Sequence, residues 1–163
     1  MKSYSQAGQD YFVRSILGEN TPRFFLDVGC AGKDGSNTLA LEGEGWDGVL
    51  IDSRPDAINC PRKARFICAD AKTVNLVSLP VYIDYLSLDV DDASYDALLN
   101  VLSYGLKFGV ITIEHDAYRL GDKLRKPERE ILSAASYKLV KADVCATEGC
   151  PMDDWWVSKE LKA

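Results

Sequence analysis

Short apolar runs alternate with helix-length amphipathic segments along most of this chain. The runs are FFLDVG (24–29), GVLID (48–52), ARFICAD (64–70), YIDYLSLDV (82–90), FGVITIEH (108–115), KLVKADVCA (138–146) and DDWWVSK (153–159). Several are apolar without interruption, the pattern of strands covered on both faces in a parallel sheet. Helices are predicted over 5–18, 36–45, 92–105 and 126–137. Ser36 and Asn37 are placed to cap the second of these and Asp92 or Ser94 the third, while Pro127 suits a first helical turn, where its missing N–H costs nothing. Gly45 and Gly105 are placed to end two helices. In the third helix, Tyr95, Leu98, Leu99 and Leu102 follow helical spacing and predict one apolar face.

The last two runs are separated only by the turn TEGCPM (147–152), with no helix between them, so they read as an antiparallel pair. The expectation is an α/β fold: a Rossmann-like sheet of seven strands, mostly parallel, ending in an antiparallel hairpin, with helices on both faces. That is the strand plan of the class I methyltransferases. No repeat, low-complexity tract or long linker divides the 163 residues, which predicts a single domain over 1–163 with a helical N-terminal segment at 1–23. A chain of this length buries about two thirds of its unfolded surface.

Composition narrows the function. With 19 Lys plus Arg against 25 Asp plus Glu, the net charge is −6, and the basic footprint of a nucleic-acid or anionic-membrane binder is missing. The opening MKSYSQAGQDYFVRSILG reads as neither a signal peptide nor an anchor, so a cytoplasmic protein is expected. Five Cys with no C-x-x-C and a single His do not make a His-rich zinc site, and they read as free thiols. The chemistry must come from carboxylates, hydroxyls, one imidazole or a borrowed cofactor.

In an open parallel sheet the ligand sits beyond the C-terminal strand ends, where the strand order reverses. The first strand ends in Asp27-Val28-Gly29, the second in Asp52, the third in Asp70, the fourth in Asp89-Val90-Asp91 and the fifth in Glu114-His115-Asp116. Asp52 follows Asp27 by 25 residues, near the spacing at which a second-strand acid accepts two ribose hydroxyls. Gly29, Gly32 and Gly35 are spaced G-x-x-G-x-x-G, whereas a dinucleotide binder has G-x-G-x-x-G to receive a pyrophosphate. An acid-lined rim suits an adenosine cofactor that lacks phosphates and carries a cationic sulfur, S-adenosylmethionine.

The ordered set SQAGQD (5–10), FFLDVGCAGKDGSNTLALEGEGWDGVLID (24–52), DYLSLDVD (84–91) and ITIEHDAY (111–118) resembles the FkbM-type S-adenosylmethionine-dependent methyltransferases, over roughly residues 3–140. These are largely O-methyltransferases of sugars and natural products. The resemblance implies that the 1–23 segment covers the cofactor site, with Gln6 close to it. Asp27 through Gly29 would hold the methionyl part, with Ser36, Asn37 and Thr38 at the helix start beside it. Asp52 would accept the ribose hydroxyls with Ser53 adjacent, Asp70 and Ala71 would meet the adenine edge, and Asp89 would lie beneath the methionyl ammonium near the methyl group. One position departs from the family: Asp91-Asp92 stands where many members carry an acid followed by Gly.

Each position also has a plainer reading. Asp27 can be a buried acid capping its loop, Asp52 a turn residue before Pro55, and Asp70 a solvated turn acid. His115 falls at a strand end, where its ordinary pKa suits a general base acting with Asp89 on an acceptor hydroxyl; the plainer reading is an exposed loop histidine. Asp89, Asp91, Glu114 and Asp116 together offer a site for a divalent cation. Trp155 and Trp156 place one ring on each face of the last strand, as core packing or as a stacking wall for an acceptor. RLGDKLRKPER (119–129) concentrates five basic residues, as a solvated connection or a lid over an anionic acceptor. The functional expectation is methyl transfer to a small-molecule or carbohydrate hydroxyl. The alternatives are a cofactor-binding or scaffold module of the same fold without turnover and, against the glycine spacing, an NAD-dependent enzyme.

Overall fold

The computed structural model describes residues 2–18 and 23–161; the remaining positions of the 1–23 segment, Met1 and 19–22, lie outside the described residues. In chain order the elements are α1 (Gln9–Leu17), β1 (Phe24–Val28), α2 (Leu39–Gly43), β2 (Asp47–Asp52), β3 (Arg65–Cys68), β4 (Tyr82–Leu88), a 3₁₀ turn (Asp91–Ala93), α3 (Ser94–Ser103), β5 (Lys107–Glu114), α4 (Ala117–Leu120), α5 (Asp122–Ala134), β6 (Tyr137–Cys145) and β7 (Pro151–Ser158). The seven strands form one sheet in the order β3-β2-β1-β4-β5-β7-β6. The first five are parallel and β7 is antiparallel to both β5 and β6, which is the expected sheet.

Side chains alternate across each strand and build two cores. Leu26, Val28, Val49, Ile51, Leu86, Leu88, Ile111, Ile113 and Trp156 meet Ala97, Leu98 and Val101 of α3 and Leu132 of α5 on one face. Phe25, Leu50, Tyr85, Val110 and Trp155 meet Phe12, Val13 and Leu17 of α1 and Leu41 of α2 on the other. Both tryptophans are therefore packed: Trp156 lies in the first core, and the Trp155 ring sits 4.8 Å from that of Phe12. Neither serves as a stacking wall. No helix among the described residues is long and apolar enough to cross a membrane, and the five cysteines are free thiols.

Four local expectations need correction. The buried residues of α3 are Ser94, Ala97, Leu98 and Val101, while Leu99 is exposed; small residues, not the larger Tyr95 and Leu102, let the helix approach the sheet. No side chain caps α3, which grows out of the 3₁₀ turn instead of starting at Asp92 or Ser94. α5 starts at Asp122, so Pro127 lies inside it. The missing hydrogen bond is offset by burial of Leu124 and Leu132 and by ion pairs along the same helix. The basic segment 119–129 is consequently neither a loop nor a lid. Arg119 pairs with Asp92 and Asp116, Arg125 with Asp122 and Asp143, and Arg129 with Asp154. Gly45 and Gly105 do follow helix ends, at φ 96° and 69°.

Candidate functional site

The strand order reverses between β1 and β4, and a groove of about 540 Å³ opens there beyond the strand ends. Gly29, Asp52, Ser53, Asp70, Ala71 and Asp89 all line it, together with Ile51, Arg54 and Val90. Gly29 is required by contact and by conformation. It has φ +81°, and a Cβ there would lie 1.6 Å from the Asp89 carbonyl oxygen, so the loop after β1 passes directly against the end of β4.

Asp52 is buried, and both of its carboxylate oxygens are engaged. Arg54 donates to Oδ1 from its backbone N–H (2.8 Å) and Nε (3.1 Å), and to Oδ2 from Nη2 (3.2 Å). The Arg54 side chain is 68% exposed and can swing away, which leaves two adjacent acceptor oxygens for a vicinal diol. Asp70 is exposed and accepts the Lys72 N–H at 2.9 Å, a turn that shapes the far end of the groove.

Asp27, Ser36, Asn37 and Thr38 do not line the groove; they are buried behind it. Arg62 donates to Thr38 Oγ1 (2.8 Å), which donates to Asp27 Oδ2 (2.5 Å), while Asn37 donates to Ser87 Oγ (3.0 Å). Burial pushes the Asp27 carboxyl up, against the hydrogen bond from Thr38 and the charge of Arg62. Ser36 Oγ accepts the Leu39 N–H at 3.1 Å and so caps the start of α2. These four residues fix the loop from behind the groove. Arg62, buried as the partner of Glu42, carries no motif that would have singled it out.

A second cavity, of about 570 Å³, adjoins the groove through Asp91, which lines both. Its walls include Gln6, Glu114, Asp116, Tyr118, Thr147 and Met152. Gln6 thus belongs to this cavity and not to the groove. The N-terminal segment covers this side, with Gln9 Nε2 donating to Asp153 at 2.8 Å. Glu114 is pushed up to about 10 by burial and then by Asp89, with Asp116 and Asp153 acting the same way. Asp89 is also raised, chiefly by burial. Asp153 is raised to about 6, again by burial.

The candidate cation site looks different in three dimensions. One oxygen from each of Asp91, Glu114 and Asp116 comes within 4.8 Å of the others, but the Arg119 guanidinium stands 2.7 Å from Asp116 and 3.7 Å from Asp91. Positive charge is already supplied there, and the geometry gives a divalent cation no support.

His115 is the largest correction. Its side chain is fully buried and lines neither cavity. Nδ1 accepts the Ala117 N–H at 3.1 Å, and Nε2 faces Asp154 at 3.4 Å on the opposite side of the sheet from Glu114. The strand-end position suggested a rim imidazole; the pleat turned it inward. A base at His115 has no route to an acceptor in either cavity.

No family model matches this sequence, and no curated protein is significantly similar to it by sequence. Solved structures do share its fold. A TehB-like SAM-dependent methyltransferase from Corynebacterium glutamicum is 20% identical with a TM-score of 0.62, over 93% of this chain and 88% of that one. Magnesium protoporphyrin IX methyltransferase from Synechocystis, solved with bound SAM, gives 14% and 0.65 over 94% and 79%. The N-methyltransferase NodS from Bradyrhizobium japonicum gives 16% and 0.58 over 93% and 94%. At such identities the likeness is one of fold, the Rossmann-like fold of the class I methyltransferases.

Proposed function

We propose that this chain is an S-adenosylmethionine-dependent methyltransferase acting on oxygen, with a hydroxyl of a sugar or other small molecule as acceptor, akin to the FkbM-type enzymes that its motifs resemble. The observation that carries this reading is the single groove at the strand-order switch, where Gly29, Asp52, Asp70, Ala71 and Asp89 meet. The donor set fits the cofactor. Asp52 offers two acceptor oxygens to the ribose diol once Arg54 withdraws, and Ile51, Ala71 and Ala93 offer apolar surface to a flat ring. Asp89, close against Gly29, offers negative charge to the methionyl end.

When bound, the cofactor supplies a methyl group already activated by a cationic sulfur. What remains for the protein is to align the acceptor and take up its proton. The adjoining cavity suits a hydroxyl-bearing acceptor. Its polar lining, Gln6, Asp91, Glu114, Asp116 and Thr147, is rich in oxygen acceptors, and no Lys or Arg among the described residues lines it.

Isothermal titration tests the reading. Wild-type protein is expected to bind S-adenosylmethionine and S-adenosylhomocysteine. Asp52→Ala is expected to weaken both by about ten- to a hundredfold, the worth of hydrogen bonds to a charged group. No binding by the wild type, or undiminished binding by Asp52→Ala, contradicts it.

A further inference from the structure

Between the groove and the second cavity, the Asp89 and Glu114 carboxyl groups lie side by side. Two ionised carboxylates side by side repel each other, so their proximity favours a proton on one of the two. The charges that bear most on the pair have the same sign. Asp27 comes from β1, Asp91 from the 3₁₀ turn, Asp116 from the segment after β5, and Asp153 from β7. Arg119 is spoken for by Asp92 and Asp116, and Glu114 accepts the Asp91 N–H at 3.2 Å. A buried acid beside a half-buried one, among like charges, titrates with it as a unit and holds a proton above the ordinary carboxylate range.

The placement gives that proton a use. Asp89 lines the groove and Glu114 lines the adjoining cavity, so the pair spans the wall between them. We propose that Asp89 and Glu114 share one proton in the free protein, that positive charge entering the groove drives it off, and that Glu114 then takes the proton of the acceptor hydroxyl. This rests on the cofactor assignment made above. The step balances. The hydroxyl oxygen bonds the methyl carbon, the carbon–sulfur electron pair stays on sulfur, and the O–H proton passes to Glu114. Loss of the positive charge beside Asp89 restores the pair's hold on a proton as the hydroxyl gives one up. Proton affinity is therefore low before transfer and high after it, which is the order a base requires.

The test needs no acceptor. Calorimetric titrations of S-adenosylmethionine and S-adenosylhomocysteine, repeated at neutral pH in buffers of different ionisation enthalpy, count the protons released on binding. Both ligands bring the methionyl ammonium, and S-adenosylmethionine, which alone carries the sulfonium, is expected to release about one proton more per protein than S-adenosylhomocysteine. In Glu114→Gln, whose amide can still donate to Asp89, the difference is expected to vanish while S-adenosylhomocysteine still binds. Equal proton counts for the two ligands with the wild-type protein would overturn the proposal. If neither ligand binds, the cofactor assignment fails separately. Carbon-13 NMR of labelled Asp and Glu carboxyls in the free protein then decides the pair: a carboxyl still protonated at neutral pH upholds the shared proton, and complete ionisation below neutral pH refutes it.

Discussion

Glu114 and His115 are chain neighbours at the end of β5, and the pleat sends them into opposite surroundings. Glu114 meets carboxyls: Asp89, Asp116 and Asp153 all push its pKa upward. His115 meets an ordered set of opposite charges, in which Asp154 accepts from Arg129 at 2.6 and 2.8 Å and from the Asp143 N–H at 2.9 Å, while Asp143 pairs with Arg125. Burial pulls Asp154 up, but the hydrogen bonds from Arg129, with the His115 ring 3.4 Å away, hold it at about 2. A buried charge is tolerated where partners satisfy it, and a buried acid without a base must keep a proton. The His115 side of the sheet thus reads as scaffolding. The Glu114 side carries an electrostatic conflict that packing alone does not require, and it lies between two cavities.

The largest expected effect comes from breaking the satisfied side. Asp154→Ala leaves Arg129 with Asp143 alone, at 3.0 Å, and takes the acceptor from the Asp143 N–H; it is expected to cost about 1–3 kcal/mol, read as a lower denaturant midpoint. Cofactor binding by the protein that remains folded should not change. A smaller, pH-dependent effect belongs to Glu128 on α5, whose buried carboxyl has no hydrogen-bond partner among the described residues. Burial, then the charge of Asp154, pushes it up to about 8. The folded protein keeps this proton while an unfolded Glu loses it near pH ~4.3. Its contribution to stability is therefore full below that pH and is lost as pH rises through about 8. Glu128→Gln should flatten the fall in melting temperature across this window. Asp154 has the opposite sign: its contribution is present above the unfolded value and is lost as pH drops toward about 2. The smallest effect is expected for Glu114→Gln, where an amide replaces a group that already carries a proton. Its stability should change by less than about 1 kcal/mol, and a much larger loss would mean that Glu114 is scaffolding after all.

The sheet was readable in advance because its parallel strands are continuous apolar runs with helix-length spacers, and because no helix separates β6 from β7. The groove was readable for the same reason: strand ends are set by the runs, and Gly29, Asp52, Asp70 and Asp89 stand at them. What the runs do not carry is side. β5 is buried on both faces, so no polar alternation along KFGVITIE tells that Glu114 faces a cavity and His115 the interior. The same holds for Asp153 and Asp154, two adjacent acids that serve the two sides separately. Ser87, a small hydroxyl residue in the apolar run of β4, was the available sign that a polar network lies behind the loop after β1. In α3, Leu98 faces inward as its size suggests, but the buried stripe runs through Ser94, Ala97 and Val101, so Leu99 is left exposed.

A crystal structure with S-adenosylhomocysteine tests the central claim most directly. The account predicts the ribose hydroxyls on Asp52 with Arg54 turned away, the adenine at Asp70 and Ala71, and the sulfur beside Asp89, facing the cavity that Glu114 lines. Ligand bound elsewhere, or a groove in which Arg54 still holds both Asp52 oxygens, would contradict it.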